Sequence, residues 1–548
     1  MVKLAQSLVI IVLAIAAPAV ASDAAVRQLG VSGALFSLSA SGPVPDTPNT
    51  SDAADAADTS VRSVTAQMRH APRKLAQAGA PVHAHPVGPA TPPLPHVSTG
   101  GTPVNVDGMA AAAGASGVSG AAGEQQYVQV VGAAMAVYGK HDGALQSGPV
   151  NLHALFSGAG ADACTAPGGG AASVLYDQLE KRWLLSWLAG APGRHVQCIA
   201  VSTSADAGGS YYRYAINMVG AGGAALQVDD ARIALWPDAY YLTFSLFDNA
   251  QGGYRGPRVC GIDRAALLRG RDAALHCQDP GAAFGPAVAA SLEGETAPPK
   301  GTPAPILSLD FTEDGTGARL LLWRFAFASA SMGEPLAIAV APFQSACADV
   351  GAAPCIGQPR PGLTQFAPGD RLMPRAVYRH DAGDLGRVGN VGDDAGRGAL
   401  LLAHAVQQRD GGTGLRWYEL RAPLRAVHVY QQGTHAPDAA HGAQGSIGID
   451  RAGNIALGYG VAGPDTPPGV RYTGRQRSDP PGRMQSEEVV VNGSGVQLGA
   501  ARQLAATGAL TLDPADGCTF WYTQQYLPLT GHAAWRTRIA SFKFRNCM

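Results

Sequence analysis

The sequence carries little charge and lacks the short motifs of cofactor chemistry. Only 15% of its 548 residues are charged and the net charge is −1, whereas about a quarter is usual in globular domains. This balance gives no electrostatic footprint for nucleic acid. The chain has no Cys-x-x-Cys, no P-loop, no Gly-x-Gly-x-x-Gly opening a helix and no nucleophile elbow. We therefore expect no nucleotide, redox cofactor or zinc ribbon.

Glycine and proline, in contrast, are abundant. The chain contains 70 Gly and 39 Pro, which favours many turns and short strands over long helices. This composition predicts an all-β protein.

The N-terminus predicts a Sec-type signal peptide over residues 1–21. Lys3 supplies a positive charge, residues 8–17 are apolar, and Ala-Val-Ala at residues 19–21 gives a cleavage site. We therefore expect a secreted protein, extracellular or periplasmic. No later segment is long and apolar enough to span a membrane, so the mature chain is predicted to have no membrane span.

Residues 22–123 are rich in Ala, Pro, Gly, Ser and Thr, with few large apolar side chains. Such a segment buries too little surface to offset its ordering entropy. We interpret it as a disordered linker.

The chain has eight cysteines, and an even number in an exported protein favours disulfides. They are Cys164, Cys198, Cys260, Cys277, Cys347, Cys355, Cys518 and Cys547. Eight cysteines allow 105 pairings. Pairing sequence neighbours is one of them and would connect adjacent hairpins.

Residues 124–548 repeat strand pairs separated by Asp/Gly turns. Ser204, Asp206, Gly208 and Tyr211 fit the Ser-x-Asp-x-Gly-x-x-aromatic spacing of an Asp-box hairpin. Residues 173–189 have helical periodicity, but a turn in the middle favours a hairpin. The repeats predict a β-propeller of six or seven blades, with residues 535–544 closing the ring. A large two-sheet sandwich is the competing architecture.

Several stretches resemble a largely uncharacterised family of secreted bacterial β-propeller-like proteins. They include VLYDQLEKRWLLS, CIAVSTSADAGGSYYRYAI, LWPDAYYLTFSLF, RWYELR, YQQGTHAPD and CTFWYTQQY. The resemblance covers about residues 124–548 in one order. It implies the propeller fold and export, and it implies no particular reaction.

The chain departs from that family pattern in three places. Ala-Ala-Ser at 171–173, His-Gly-Ala at 441–443 and RQLAATGAL at 502–510 stand where relatives carry Gly-Asp-Pro, Arg-Trp and Arg-Trp-Gly-Asp-Tyr, respectively. If those polar groups form a functional centre, this chain has lost part of it.

Two carboxyl groups are the first requirement of a glycosidase, and we select Glu419 and Asp238 as the catalytic candidates. The groups must lie about 5–5.5 Å apart in a retaining enzyme or about 6.5–9.5 Å apart in an inverting one. Glu419 stands among aromatics, where desolvation would raise its pKa for general-acid work. Asp263 and Asp438 are further candidates. Each of these acids could instead brace a turn.

Aromatic and arginine side chains suggest a ligand-binding face. Strand aromatics can stack on sugars, although they are more often core, and an Arg fork can clamp the carboxylate of an acidic sugar. The binding candidates are Trp236, Tyr240, Tyr241, Arg264, Trp417 and Tyr418, with Trp521, Tyr522, Arg416, Arg471 and Arg475 as further possibilities.

No metal site is predicted with a full ligand set. Asp450, Asp513 and Asp516 resemble parts of calcium loops but lack the complete spacing, so structural calcium stays open. His435-x-x-Asp438-x-x-His441 contains metal-ligand residue types without a His-Glu-x-x-His helix.

These observations favour a monomeric secreted propeller that recognises an extracellular polymer, such as a carbohydrate or cell-surface glycan. A sialidase-like glycoside hydrolase is the first alternative. An adhesion or structural surface protein is the second.

Overall fold

The computed structural model describes most of the chain after residue 98 and a short segment near the N-terminus. The described residues are 24–35, 99, 103–110, 117–166, 172–190, 195–218, 226–248, 253–311, 316–347, 356–362, 369, 371–380, 398–408, 411–421, 423–437, 440–498, 507–532 and 534–547. The predicted signal peptide lies outside them.

Thirty strands are described. The first fifteen are β1 (Ala24–Val26), β2 (Gln28–Val31), β3 (Asn105–Ala110), β4 (Val118–Ala122), β5 (Gln126–Val131), β6 (Ala134–Gly139), β7 (Leu145–Asn151), β8 (Ser173–Asp177), β9 (Arg182–Ala189), β10 (Val196–Ser202), β11 (Tyr211–Asn217), β12 (Leu226–Leu235), β13 (Ala239–Asp248), β14 (Tyr254–Asp263) and β15 (Ala273–Gln278). The rest are β16 (Ala287–Leu292), β17 (Ala304–Phe311), β18 (Thr316–Phe325), β19 (Leu336–Gln344), β20 (Ala376–Arg379), β21 (Ala399–Gln407), β22 (Thr413–Arg421), β23 (His428–His435), β24 (His441–Ile449), β25 (Ile455–Gly463), β26 (Thr466–Arg475), β27 (Glu488–Val491), β28 (Ala509–Leu512), β29 (Phe520–Tyr526) and β30 (Arg536–Phe542). Two short helices lie outside the sheets, at Asp162–Thr165 and Arg264–Leu268.

The strands form a seven-bladed β-propeller. In chain order the blades are β4–β7, β8–β11, β12–β15, β16–β19, β20–β23, β24–β27, and β28–β30 with β3. The first strand of each blade contacts the first strand of the next, from β4 through β8, β12, β16, β20 and β24 to β28 and back to β4. This closed ring confirms the predicted propeller and excludes the two-sheet sandwich.

The ring is closed by pairing the N-terminal and C-terminal parts of the chain. Strand β3 pairs antiparallel with β30, so the last blade takes its outermost strand from before the first blade. The sequence correctly predicts that the last strand closes the ring, but its partner β3 lies inside the predicted linker.

Most blade strands are buried on both faces, because each blade packs between two neighbours. All nine residues of β25 are buried, and so are nine of the ten in β13. Separate hydrophobic clusters fill the spaces between blades, such as one containing Trp183 between blades 1 and 2 and one containing Trp417 between blades 5 and 6. The sequences of these strands are therefore continuous runs of mostly apolar residues.

Asp and Gly residues shape the turns between strands. The Asp206 carboxylate accepts from Gly208 N at 2.9 Å and from Gln126 Nε2 at 3.0 Å, which ties the turn of blade 2 to blade 1. Tyr211 is fully buried and donates to the Ala207 carbonyl. The predicted Asp-box hairpin is present. Gly143, with φ of +70°, occupies a backbone region that favours glycine.

The predicted disordered linker over residues 22–123 is wrong where the structure describes it. Strand β1 pairs with β15 and β2 pairs with β11, so they extend the outer edges of blades 3 and 2. Strands β3 and β4 also begin before residue 124. These short segments gain order from strand edges already present in the propeller, which their own composition does not reveal. Most of residues 36–98 lie outside the described part.

Three disulfide bonds are described, Cys164–Cys198, Cys260–Cys277 and Cys518–Cys547. Each bond joins two cysteines that follow one another among the cysteines of the sequence, which is one of the pairings considered above. Cys347 is also disulfide-bonded, and Cys355 lies outside the described residues. Such bonds are typical of extracellular or periplasmic proteins. None of the described helices combines the length and apolarity needed to cross a membrane.

Candidate functional site

A channel runs between the inner strands of six blades. Its cavity volume is ≈ 160 Å³, and it is lined by β4, β8 and β12, by the end of β16, by the residues before β20, and by β28. Most of its lining side chains are small, including Gly117, Ala121, Ala122, Ala172, Ser173, Ala231, Ser291, Gly508 and Ala509. Five charged residues interrupt this lining, namely Asp229, Asp230, Arg232, Glu293 and Arg375. They form the candidate site.

Asp230 is held by two arginines at an irregularity of β12. The pairing of β12 with β13 shifts register between Asp229 and Arg232, and Asp230 has φ of +54°, a strained value for a non-glycine residue. Its carboxylate accepts from Arg232 Nε at 3.1 Å, from Arg232 Nη2 at 2.8 Å and from Arg371 Nη1 at 3.0 Å. The bulge thus fixes an ion pair at the channel wall.

Glu293 lies deeper, directly after β16. The residue is only 4% exposed, and its Oε1 accepts from Arg375 Nη2 at 2.6 Å. Its Oε2 is buried without a hydrogen bond. Burial raises the pKa of Glu293, and the guanidinium groups of Arg375 and Arg379 offset part of that rise. The site therefore holds a buried carboxyl group that pairs with a guanidinium and has a pKa above its usual value.

Arg375 connects two sides of the channel and retains hydrogen-bonding capacity. Its Nη1 donates to the Leu510 carbonyl of β28 at 2.8 Å, while Nη2 bonds Glu293. A guanidinium group carries five N–H donors, so three remain without an acceptor among the described residues. One-fifth of the side chain is exposed, against 3% for Arg371. Arg375 is the arginine in this network best placed to meet a ligand.

The predicted catalytic pair is not brought together. Glu419 lies on β22, the third strand of blade 5, and Asp238 lies in the β12–β13 turn of blade 3, with blade 4 between them. Glu419 is 1% exposed, accepts from Gln431 Nε2 at 2.5 Å and pairs with Arg421. Neither acid lines the channel. The prediction of this pair is wrong because aromatic neighbours mark packing between blades and not a pocket.

Asp238 and Asp263 lie at turns and do not line the channel. Burial raises the pKa of Asp238, and the backbone N–H groups of Asp238 and Ala239 oppose the rise. Asp263 accepts from Ala266 N at 3.0 Å and caps the short helix Arg264–Leu268. Asp438 lies outside the described residues.

The aromatic binding candidates in blade 3 are core residues. Trp236 is 1% exposed, packs on Tyr378 and donates to the Thr302 carbonyl. Tyr240 and Tyr241 are fully buried, with hydroxyls bonded to Asp177 Oδ2 and to the Phe325 carbonyl. The stacking surface predicted from them is not present.

The aromatics of blades 5 and 7 are buried too. Trp417 and Tyr418 point to opposite faces of β22 and both are fully buried, because both faces of a blade are covered. The Tyr418 ring stacks on His404, and the Tyr522 ring packs where Gly458 leaves room. Trp521 is also buried, and its Nε1 donates to Asp513 Oδ2.

The predicted arginines bind protein groups. Arg264 forms a bidentate pair with Asp177, at 2.6 and 2.8 Å. Arg416 donates to Thr434 Oγ1, Arg471 to Asn492 Oδ1, and Arg475 to Gln431 Oε1 and the Asp479 carbonyl. Arg264 also borders a surface depression with Arg182 and Arg269.

The aspartates considered for calcium accept hydrogen bonds from their own surroundings. Asp450 accepts from Ala452 N, Asn454 N and Asn454 Nδ2. Asp516 accepts from Cys518 N, Thr519 N and Thr519 Oγ1, and Asp513 from Lys140 Nζ at 2.6 Å. These contacts are those of Asp turns. Within the described residues, no group of three or more His, Cys, Asp or Glu side chains is placed to hold a metal.

Two of the segments singled out in the sequence border the channel where the structure describes them. Residues 172–173 lie at the start of β8 and residues 507–509 lead into β28, and both line the channel. Residues 441–443 begin β24 and are not among the lining residues.

The channel residues were missed because their local sequences are unremarkable. Asp230, Glu293 and Arg375 come from three different blades, and only ring closure brings them together. The available signal was a charge beside a run of small apolar residues, as where Glu293 follows AVAASL.

No protein-family model and no curated protein matches the chain. Among solved structures, the BP39L lectin from Burkholderia pseudomallei is similar at 10% identity and a TM-score of 0.38, with 78% of this chain and 98% of that chain covered. The Trypanosoma rangeli sialidase in complex with sialic acid is similar at 9% identity and a TM-score of 0.35, with 68% of this chain covered. This chain spans only 53% of the sialidase's length. The endo-arabinase from Bacteroides thetaiotaomicron is similar at 12% identity and a TM-score of 0.28, with 70% of this chain and 99% of the endo-arabinase covered. These superpositions are loose, and the propeller assignment stands on this chain's own strand order.

Proposed function

We propose that the protein binds an extracellular carbohydrate in the central channel. The observation that carries this proposal is the pair of Arg375 and Glu293. Arg375 has three N–H donors without an acceptor among the described residues, and Glu293 Oε2 is buried without a partner in the same cavity. A sugar presents many hydroxyl groups that both donate and accept, so it can satisfy both side chains.

The channel has room for a ligand larger than a water molecule. A single water requires roughly 10–15 Å³ of cavity, and the channel provides ≈ 160 Å³. The small side chains of the inner strands leave this space open, and the charged groups at its wall give the ligand an orientation.

Glycoside hydrolysis is the second candidate function. Glu293 favours it, because a buried carboxyl with a raised pKa can donate a proton to a leaving group. Asp230, bonded by two guanidinium groups, would be the second carboxylate in the same channel. This pair replaces Glu419 and Asp238 in the hydrolase hypothesis.

A glycan-array screen of the purified protein tests both candidates. We expect binding that is lost in Arg375→Met. Binding should be retained in Glu293→Gln, whose amide can still hydrogen-bond a sugar, and in Arg255→Gln, since Arg255 is an exposed arginine paired with Asp248 that does not line the channel. Each bound glycan is then incubated with the wild type and with Glu293→Gln, and the products are separated by chromatography. Cleavage by the wild type that Glu293→Gln abolishes would support hydrolysis. Binding that survives Arg375→Met would overturn the proposed site, and a blank array would favour the adhesion role.

A further inference from the structure

We propose that the channel selects a sugar carrying a carboxylate, which binds the Arg375 guanidinium while Glu293 takes up one proton from solvent. This inference rests on the proposed carbohydrate binding and specifies its ligand class. It follows from the contacts of Arg375 and Glu293, the charges around them and the burial of both groups.

Arg375 supplies the anion-binding group. A guanidinium fork binds a carboxylate in a bidentate manner, with two parallel N–H···O bonds. Among the described residues, Arg375 uses two of its five donors, on Leu510 O and on Glu293 Oε1. Arg232 and Arg371, by comparison, direct their donors to Asp230 and are nearly buried. Arg375 therefore has N–H donors available for the carboxylate of a ligand.

Glu293 provides the proton acceptor. Its neighbours are Arg375 and Arg379 from blade 5, and Gln178 from blade 2, which donates to the carbonyls on either side of Glu293. Asp229, Asp230 and Arg232 line the same channel. A ligand carboxylate beside Arg375 would place a second negative charge next to Glu293 in a poorly solvated space. Like charges this close disfavour joint ionisation, so Glu293 takes up a proton.

Charge balance follows directly. In the empty channel, the negatively charged Glu293 carboxylate pairs with the positive Arg375 guanidinium through Oε1, at 2.6 Å. In the bound state, the guanidinium pairs with the ligand carboxylate and Glu293 is neutral. One proton enters from solvent and no covalent bond changes. The neutral Glu293 then has an O–H to donate to the ligand.

The sign of the pH dependence is fixed by this coupling. Ligand binding raises the pKa of Glu293, so affinity is highest where the bound form is protonated and falls as pH rises through that range. For one coupled proton, the dissociation constant increases by up to about tenfold per pH unit. The affinity for a neutral sugar should not show this pH dependence, because a neutral sugar brings no negative charge next to Glu293.

Calorimetry with an oligogalacturonate and its methyl ester tests the inference, because esterification removes the charge of each carboxylate and adds only a methyl group. We expect the acid to bind at least about tenfold more tightly than the ester. Titrations at pH 5 and pH 7.5, in buffers of different ionisation enthalpy, should report uptake of close to one proton. Glu293→Gln mimics the neutral acid, so it should bind the oligogalacturonate without proton uptake and with a flatter pH profile. Arg375→Met should lose the preference for the acid, and Arg255→Gln should behave as the wild type.

The outcomes separate the two proposals. Equal binding of acid and ester, or binding of neutral glycans only, would overturn the acidic-ligand inference and leave carbohydrate binding standing. Acid binding without proton uptake would overturn the role of Glu293. Absence of binding to any glycan would remove the proposed function and this inference with it. If Arg375→Met does not fold, the Glu293→Gln variant and the ligand pair still decide the question.

Discussion

Replacing Arg264 by methionine is expected to destabilise the protein by about 3–5 kcal/mol while leaving glycan affinity unchanged. Arg264 bonds Asp177 with Nε at 2.6 Å and Nη2 at 2.8 Å, and Asp177 is fully buried. Tyr240 and the backbone N–H groups of Leu179 and Glu180 also donate to this carboxylate. Without Arg264, a buried negative charge would keep only these neutral donors.

The magnitude comes from the asymmetry of buried ion pairs. Removing one partner of such a pair leaves an uncompensated charge, which costs about 3–5 kcal/mol, whereas replacing both partners costs much less. The double variant Asp177→Asn/Arg264→Met should therefore be more stable than the sum of the single variants predicts, by about 0.5–3 kcal/mol. Arg255→Met removes an exposed ion pair with Asp248 and should cost no more than about 1 kcal/mol.

Urea denaturation followed by tryptophan fluorescence measures these differences, and the glycan array measures binding by the same variants. A loss below about 1 kcal/mol for Arg264→Met would show that the pair is not compensating a buried charge. Loss of glycan binding by a folded Arg264→Met protein would restore Arg264 as a ligand contact and contradict the assignment of the site to the channel.

Three further predictions concern stability. Burial raises the pKa of Asp450 to about 6, above its unfolded value near 4, so the folded state binds the extra proton and this group lowers stability as pH rises from about 4 to 6. Asp450→Asn should flatten that part of the pH profile of the urea midpoint, and an unchanged profile would refute the cause. Deleting residues 24–32 should speed amide exchange in β11 and β15, whose edges β2 and β1 cover; unchanged exchange by mass spectrometry would contradict this pairing. Joint replacement of Cys260 and Cys277, 17 residues apart, by alanine should cost about 2–4 kcal/mol in urea denaturation, whereas no loss would deny the bond a stabilising role.

Much of the fold could be predicted because its signals are local. The hairpin over residues 173–189 forms as β8 and β9 on either side of a turn, and the Asp206 turn forms as the spacing indicated. Each such hairpin is specified by a few neighbouring residues. Seven repeats of one sheet then leave a closed ring as the arrangement that covers all blade faces.

The N-terminal strands could not be predicted for the opposite reason. The sequence of β2 is QLGV, which is only four residues long, contains a glycine and has no buried residue. Its order comes from the edge of blade 2 and from Arg213, whose guanidinium donates to the carbonyls of Leu29, Gly30 and Val31. These partners lie about 180 positions away in the chain. The composition of a segment indicates whether the segment would fold by itself, and it does not indicate which strand edges it can pair with.

The candidate site could not be read from the sequence because aromatic residues and function occupy different strands. In this propeller the large rings fill the spaces between blades, where both faces of a strand are covered, so Trp417 and Tyr418 accompany packing. The inner strands converge on the axis and carry small side chains instead. A charged residue in an inner strand must be desolvated, and a hydrophobic replacement of a buried ion pair is often no less stable. Stability alone therefore gives little reason to keep Glu293 and Arg375 in the channel, and the proposed ligand binding would supply a reason that packing lacks.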